Sequence, residues 1–406
     1  MSKLVTKKYI LPFALITSLF FMWGFARAIL DVLNKHFQES LSISITQSTL
    51  IQATTYLGYF LMAIPAGIII TRLGYRRGVV IGLLLFAAGS LLFIPGSSAM
   101  SFTIFLIALF VIGCGLVILE TAANPYASVL GSPDTAASRL NLAQSFNGLG
   151  CIIAPVLVGG FLFSGDGNNG VDIPYAVMGI IVLVAALIFS RVKLPEITTD
   201  ASDNAIETQS TSIASTIKRL LSDHVFRFGL IALFCYEISE ISINSLFINY
   251  TTAEGWMDKT VASAVLSFGA LGLFMFARVG GSWIMSRIKA EKVLAFCGFM
   301  TVVSALLVAM DLGTISKIGL FSCYAFEAIM FPTIFAITIA RVDNNSVKIA
   351  SSLLMMTPIG GAVGTLLMGL LADATSMSTS FIIPAAGYIF VFLYSLSRLS
   401  ATRKTA

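Results

Sequence analysis

The chain is predicted to be an all-α integral membrane protein of twelve spanning helices, arranged as two pseudo-symmetric six-helix bundles. Three observations predict it: composition, the recurrence of charge-free stretches of spanning length, and a one-sided distribution of Lys and Arg. Hydrophobic residues make up 57% and charged residues 11% of the 406 positions, against roughly 45–50% and about 25% in soluble domains. Too few charges remain to coat a water-exposed surface, so lipid must be the solvent for most of it.

A helix needs ~20 residues to cross ~30 Å of hydrocarbon at ~1.5 Å per residue. Stretches of that scale place helices near 9–37, 46–70, 78–96, 101–129, 138–163 and 172–193, and again near 223–251, 260–286, 291–311, 313–341, 346–372 and 380–402. The first follows the basic start Lys3, Lys7 and Lys8. It reads as a retained helix rather than a signal peptide, because no small-residue cleavage site follows and Arg27 and Asp31 interrupt its apolar run. Arg72, Arg76 and Arg77 separate the second helix from the third, Arg139 the fourth from the fifth, and Arg191 and Lys193 close the sixth. The polar segment 194–222 is the long loop; it divides the chain into 1–193 and 223–406. Arg287, Lys289 and Lys292 then separate the eighth helix from the ninth, Arg341 and Lys348 the tenth from the eleventh, and Arg398, Arg403 and Lys404 end the twelfth.

With these spans, nineteen Lys and Arg fall on the side of the termini, and three, Lys35, Lys259 and Lys317, on the other; Arg27, Arg227 and Arg278 lie within helices. Positive charge marks the cytoplasmic side, so both termini are expected in the cytoplasm of a cell with a bacterial-type inner (plasma) membrane. The five cysteines all sit in apolar segments, which argues against a disulfide framework.

The halves echo each other. Glu120 precedes Pro125 by five residues in the fourth helix, and Glu327 precedes Pro332 by five in the tenth. Gly67 and Arg72 correspond loosely to Gly281 and Arg287. Six-helix repeats of this kind hold a ligand site between them near the midplane. Pro125, Pro155, Pro332 and Pro358 lie inside spans and should bend them. Glycines such as Gly148, Gly150, Gly159, Gly160, Gly360, Gly361 and Gly364 allow the fifth and eleventh helices to pack closely.

Ionisable residues at membrane depth are costly and mark candidate functional positions; here they are Arg27, Asp31, Glu120, Glu237, Glu240, Arg278 and Glu327. Arg27, Asp31 and Lys35 share one face of the first helix. This is either a structural Arg27–Asp31 ion pair or a proton or substrate site, and the flanking cations favour the ionised carboxylate. Glu120 has no cation nearby on its own helix, so desolvation favours its neutral form, as a proton-coupling site requires. Asp31 lies ~33 Å along the first helix and Glu120 ~28 Å along the fourth, placing Asp31 toward the outside and Glu120 toward the inside. In the fifth helix, Asn141, Gln144 and Asn147 form a polar stripe suited either to sugar hydroxyls or to interhelical bonding. Glu240 and Asn244 give the seventh helix a polar face, and Trp23, Tyr236 and Phe331 offer apolar rings that serve a sugar face or plain packing. His36 and His224 form no metal motif, and no serine nucleophile with a base or phosphate-binding glycine loop stands out, so an enzyme is not expected.

The strings Leu119-Glu120-Thr121-Ala122-Ala123-Asn124-Pro125 and Arg139-Leu140-Asn141-Leu142-Ala143-Gln144-Ser145-Phe146-Asn147 resemble the fucose–galactose–proton symporter family of the major facilitator superfamily. The segment Phe331-Pro332-Thr333-Ile334-Phe335, the turn from Gly281 to Arg287, and Asp31 are similar to it as well. The resemblance implies proton-driven import of a monosaccharide by alternating access: L-fucose first, then galactose, glucose or N-acetylglucosamine. A sugar or drug exporter of the same fold is the alternative. It implies Asp31 and Glu120 as coupling carboxylates and Gln144, Asn147, Asn124, Asn141, Trp23, Glu240 and Asn244 as the sugar-facing set. The proton gradient would be the driving force, with no cofactor, metal or nucleic acid, and the chain a monomer in the bilayer. Two departures stand out: Arg27 and Ala28 replace a pair of asparagines, and Thr71 precedes Arg72 where the superfamily carries an acidic residue.

Overall fold

The computed structural model is all helical and describes residues 9–40, 50–159, 170–192 and 213–404, with Val5 and Phe161; the side chains of residues 31–40 fall outside that description. Eleven described runs are long and apolar enough to span a membrane. One of them, Ala53–Ser98, has 46 residues, or ~69 Å at ~1.5 Å per residue, about twice the hydrocarbon thickness. It is two spans joined at Gly74, whose backbone (φ 83°, ψ 167°) leaves the helix for a single residue. The described residues therefore hold twelve spans, as the sequence predicts.

In chain order these are α1 (Ile10–Ser40), α2 (50–73), α3 (75–91, extended by Phe93–Ser98), α4 (Phe102–Val129), α5 (Ala136–Ala154, opening into a wide π turn at Pro155–Gly159) and α6 (Asp172–Arg191). The second set is α7 (His224–Ala253), α8 (Lys259–Ala264, a π turn Val265–Ala270, then Leu271–Met285), α9 (Ala290–Ala309), α10 (Thr314–Glu327 and Met330–Ile339), α11 (Val347–Leu354 and Ile359–Ala374) and α12 (Ile382–Lys404). Segment 194–222 corrects one expectation. It is not all loop: Ile213–Ser222 is a helix, because Ile213, Ile217 and Leu220 repeat at helical spacing and turn an apolar stripe onto the helices beside it. Arg219 fixes it to the α10–α11 connection through Asp343, at 2.9 Å.

Packing repeats with the sequence. The first helix of each set lies along the fifth (α1 on α5, α7 on α11), and the third along the fourth and sixth (α3 on α4 and α6, α9 on α10 and α12). Between the sets, α2 meets α11 and α5 meets α8, an exchange of second and fifth helices that a two-fold axis relates. Glycine sets the intimacy of the first-to-fifth pairs. A Cβ on Gly150 would lie 2.3 Å from the Phe21 carbonyl, and one on Gly364 would lie 2.3 Å from that of Ile238. Gly360 and Gly361 press on α7 in the same way. Outward-facing positions are apolar and open, among them Leu187, Phe276 and Leu366, as lipid contact requires.

Of Pro125, Pro155, Pro332 and Pro358, three break their helix. α5 widens at Pro155, α10 is interrupted at Ala328–Ile329 ahead of Pro332, and α11 is interrupted between Leu354 and Ile359 around Pro358. α4 runs unbroken through Pro125. A proline removes the donor that the carbonyl four residues earlier needs, and at Pro358 the gap is filled locally, since Thr357 Oγ1 donates to the Leu354 carbonyl at 2.8 Å.

Gly74 occupies a backbone region open only to glycine, where any other residue costs about 1–3 kcal/mol. Gly74→Ala should lower the unfolding free energy of the detergent-purified protein by about that amount, read as a fall in melting temperature. An unchanged melt would mean that the α2–α3 turn relaxes freely.

Candidate functional site

A cavity of about 1290 Å³, its mouth included, lies between the two sets of helices, somewhat larger than the roughly 300–1,000 Å³ of small-molecule pockets. Its wall is built from helical faces. α1 supplies Trp23 and Arg27, α2 supplies Tyr56 and Tyr59, and α4 supplies Glu120. Gln144, Asn147 and Cys151 come from α5; Tyr236, Glu237, Glu240 and Asn244 from α7; Phe274 and Arg278 from α8; and Phe331 from α10. The α5 and α7 contributions recur at three- and four-residue spacing, so one stripe of each helix faces the void.

Its polar groups form three clusters. Arg27 Nη2 donates to Glu240 Oε2 at 3.2 Å across the gap between the halves, and Asn244 Nδ2 holds the other Glu240 oxygen at 2.8 Å. Gln144 Nε2 donates to Asn124 Oδ1 at 3.1 Å, while Arg278 Nη1 donates to the Gln144 carbonyl at 3.2 Å and reaches its Oε1 at 3.4 Å. Trp23 Nε1 donates to the Tyr59 hydroxyl at 2.5 Å. Neither Glu120 oxygen has a hydrogen-bond partner among the described residues, although the Tyr59 hydroxyl stands close enough to interact. Glu120 is 2% exposed and lies within electrostatic reach of Glu237, Arg27 and Arg278.

Glu327, the repeat partner of Glu120, takes a different position. It is fully buried inside the second set of helices, where the Tyr388 hydroxyl donates to its Oε2, and it does not line the cavity. Arg278 also serves the scaffold: its Nε donates at 2.6 Å to the Ala328 carbonyl, the acceptor that Pro332 leaves without a helical donor. At the matching place in α4, Pro125 strands the Thr121 carbonyl, and Ser351 of α11 donates to it at 2.9 Å.

On the side where α1 begins and α12 ends, the halves are sealed below the cavity. Ser138 Oγ donates to the Ser282 carbonyl at 2.6 Å, and Ser282 Oγ donates back to the Ser138 carbonyl at 2.8 Å. Asn141 Nδ2 reaches Thr333 Oγ1 at 3.1 Å, and Asn124 Nδ2 reaches Met355 Sδ at 3.4 Å. The cavity extends from this seal toward the opposite side, through Leu30, Ser245 and Leu266.

The structure therefore brings Trp23, Arg27, Glu120, Gln144, Asn147, Glu240 and Asn244 together in one void, with the rings of Tyr236 and Phe331. It separates Asn124 and Asn141 from them. Both are fully buried behind the wall, so in this state the expected sugar contact gives way to bonding between helices. The α5 stripe thus combines both readings: Asn141 joins the halves, while Gln144 and Asn147 each do some of both, Asn147 lining the cavity with its Nδ2 donating to the Phe20 carbonyl of α1 at 3.4 Å. Arg27 is paired with Glu240; the expected Arg27–Asp31 pair and the coupling role of Asp31 rest on a side chain outside the described residues. Glu237 and Arg278 were visible in sequence as charges at membrane depth, although nothing there assigned them to the cavity. Tyr56, Tyr59 and Phe274 carried no signal in a chain with 11 Tyr and 31 Phe.

Three comparisons place the chain. The profile of the Major Facilitator Superfamily matches residues 16–357. The L-fucose-proton symporter of Escherichia coli (strain K12) is 35% identical, with 97% of this chain and 94% of that protein covered. A glucose/galactose transporter of Brucella abortus biovar 1 (strain 9-941) is 34% identical, over 96% and 94%. The crystal structure of the transporter FucP in the outward conformation superposes with a TM-score of 0.86 at 34% identity, covering 97% of this chain and 99% of that one. This multi-pass membrane protein belongs to the fucose–galactose–proton symporter family of the Major Facilitator Superfamily.

Proposed function

We propose that the chain is a proton-coupled monosaccharide symporter of a bacterial inner membrane, with both termini cytoplasmic and L-fucose as the first substrate to test. The observation that carries this reading is the composition of the cavity wall. Amides at Gln144, Asn147 and Asn244 offer donor and acceptor together, and Trp23, Tyr236 and Phe331 offer flat apolar faces. A sugar needs both, because its hydroxyls lie around a ring with an apolar face. Beside them stands Glu120, buried and without a hydrogen-bond partner among the described residues, the arrangement that lets a carboxyl hold a proton at membrane depth. The names of the relatives point the same way. The glucose/galactose transporter is nearly as similar as the fucose symporter, so galactose and glucose form the second reading.

In the proposed cycle, residues 1–193 and 223–406 rock as two bundles about the cavity, joined by the linker 194–222. The seal made by Ser138, Ser282, Asn141 and Thr333 is closed in this state, leaving the cavity to fill from the outside. Glu120 takes the proton, with Asp31 as the second coupling carboxylate. One proton moving down 100 mV carries ~2.3 kcal/mol, enough to concentrate a neutral sugar about fifty-fold. Uptake of radiolabelled L-fucose into proteoliposomes under an imposed proton gradient, with galactose, glucose and N-acetylglucosamine as competitors, tests the reading; a chain that accumulates none of them refutes it.

Glu120→Gln copies the protonated acid. Sugar exchange at equal concentrations should persist, while proton-driven accumulation falls to the level of passive equilibration; concentrative uptake at the wild-type level would remove Glu120 from the coupling role.

Asn147 and Asn141 separate binding from scaffolding. Losing one neutral hydrogen bond is worth about 0.5–1.5 kcal/mol, so Asn147→Ala should weaken sugar binding by about 2- to 13-fold, with a fall in melting temperature limited to the loss of its long bond to the Phe20 carbonyl. Asn141→Ala should lower the melting temperature and leave the dissociation constant near wild type. Calorimetric titration beside thermal melts of both variants reads this, and equal affinities in the two variants would move Asn147 from the site to the scaffold.

A further inference from the structure

The Arg27–Glu240 pair joins helices from opposite halves across the cavity. The pair is formed here while the seal below the cavity is closed, so it ties the halves together across the cavity and must stretch or break if they part further on the outer side. Arg27 is less enclosed than its partner: its side chain is 28% exposed, against 6% for Glu240, and Asn244 donates to the Glu240 carboxylate. Glu120 lines the same cavity from Arg27's own half, with neither oxygen hydrogen-bonded among the described residues and with Arg27 within electrostatic reach. One cation thus stands between a carboxylate in the opposite half and a carboxyl in its own.

We propose that Arg27 is a shared counter-ion: it bridges to Glu240 across the cavity while Glu120 carries a proton, and it withdraws to Glu120 once that proton has left. This rests on the symporter reading and specifies how its proton would govern closure. Protonation of Glu120 from the outer water removes the competing charge, so Arg27 is free to draw α7 toward α1 and begin closing the outer side. Release of the proton to the inner water restores a carboxylate at Glu120, the bridge is lost, and the empty carrier reopens outward. The other groups that face Arg27 and Glu120 are Tyr56 and Tyr59 from α2, Cys151 from α5, Tyr236 and Glu237 from α7 and Arg278 from α8. Arg278 is committed to Ala328 and Gln144. Glu237, one turn before Glu240, is a further acidic group within electrostatic reach of Arg27 on the α7 side. Asp31 follows Arg27 by one turn of α1, with its side chain outside the described residues.

The test is a distance across the outer side as a function of pH. Nitroxide labels at Met100 (α3–α4) and Leu312 (α9–α10), both exposed, are placed in a Cys151→Ser background in nanodiscs, where the remaining cysteines are buried. Without sugar, the ratio of short to long distances should change by about tenfold or more between acid and alkaline buffer, the short distance prevailing in acid. Glu120→Gln should hold the short distance at every pH and Glu240→Gln the long one; Arg27→Gln should abolish the shift and Arg27→Lys retain it. Should a single charge deletion prevent folding, the double variant Arg27→Gln/Glu240→Gln removes both members of the bridge together and should also be pH-independent. A shift of wild-type size in Arg27→Gln, in the double variant or in Glu120→Gln overturns the proposal; the last result would transfer the role to Asp31. Sugar accumulation is read separately: a wild-type chain that shifts with pH but accumulates no sugar refutes the symporter reading alone. A chain that accumulates sugar with a pH-independent distance refutes the counter-ion switch alone.

Discussion

Hydrocarbon offers no hydrogen bonds, so a backbone carbonyl stripped of its helical donor inside the membrane must be satisfied by the protein itself. Prolines at equivalent places in α4 and α10 create two such carbonyls, at Thr121 and Ala328. The donors that answer them organise the centre of the molecule. Ser351 crosses from α11 to Thr121 and ties the two halves together. Arg278 satisfies Ala328 and, with the same guanidinium, holds Gln144 of the opposite half at the floor of the cavity. The prolines that bend the helices thus also dictate which neighbours must approach, and the cavity lies where those approaches leave space.

The twelve spans, their division into six and six, and the charged residues at depth were all legible in the sequence, because hydropathy and charge are local properties that lipid makes decisive. What could not be read was direction around each helix axis. Asn141 and Asn147 belong to one stripe, yet a turn and a half of helix between them is enough to put one on the seam with Thr333 and the other on the void. Glu240 was read as cavity-facing with Asn244, as the geometry places it, but its pairing with Arg27 depends on how the halves meet, which no local pattern encodes. The linker helix Ile213–Ser222 was missed for the opposite reason: its apolar stripe is short and set in polar sequence, so a spanning-length search passes over it.

The repeat is exact enough to place Glu120 and Glu327 at matching positions and loose enough to give them different roles. Glu327 is sealed among the second set of helices with a hydroxyl donor from Tyr388, a partner that suits either protonation state. Glu120 faces the cavity with neither oxygen hydrogen-bonded among the described residues. Duplication supplies a carboxyl to each half, but only Glu120 reaches the cavity wall. Two-fold symmetry therefore governs the scaffold, while the surroundings of the paired carboxyls differ across the axis.

The seal beneath the cavity shows what a moving interface needs. It is made largely of single neutral hydrogen bonds from small side chains: the paired serines Ser138 and Ser282, Asn141 with Thr333, and Ser351 with the Thr121 carbonyl. Each such bond contributes about 0.5–1.5 kcal/mol net, and water can take over both partners when the seam opens, so no buried group is left bare. A carrier works only if its two states lie within a few kcal/mol of each other. An interlocked apolar core of the same extent would hold one state too firmly, and a row of buried ion pairs would leave unpaired charges in the other. Hydrogen bonds that water can replace keep the seam at this end of the cavity closed without fixing it.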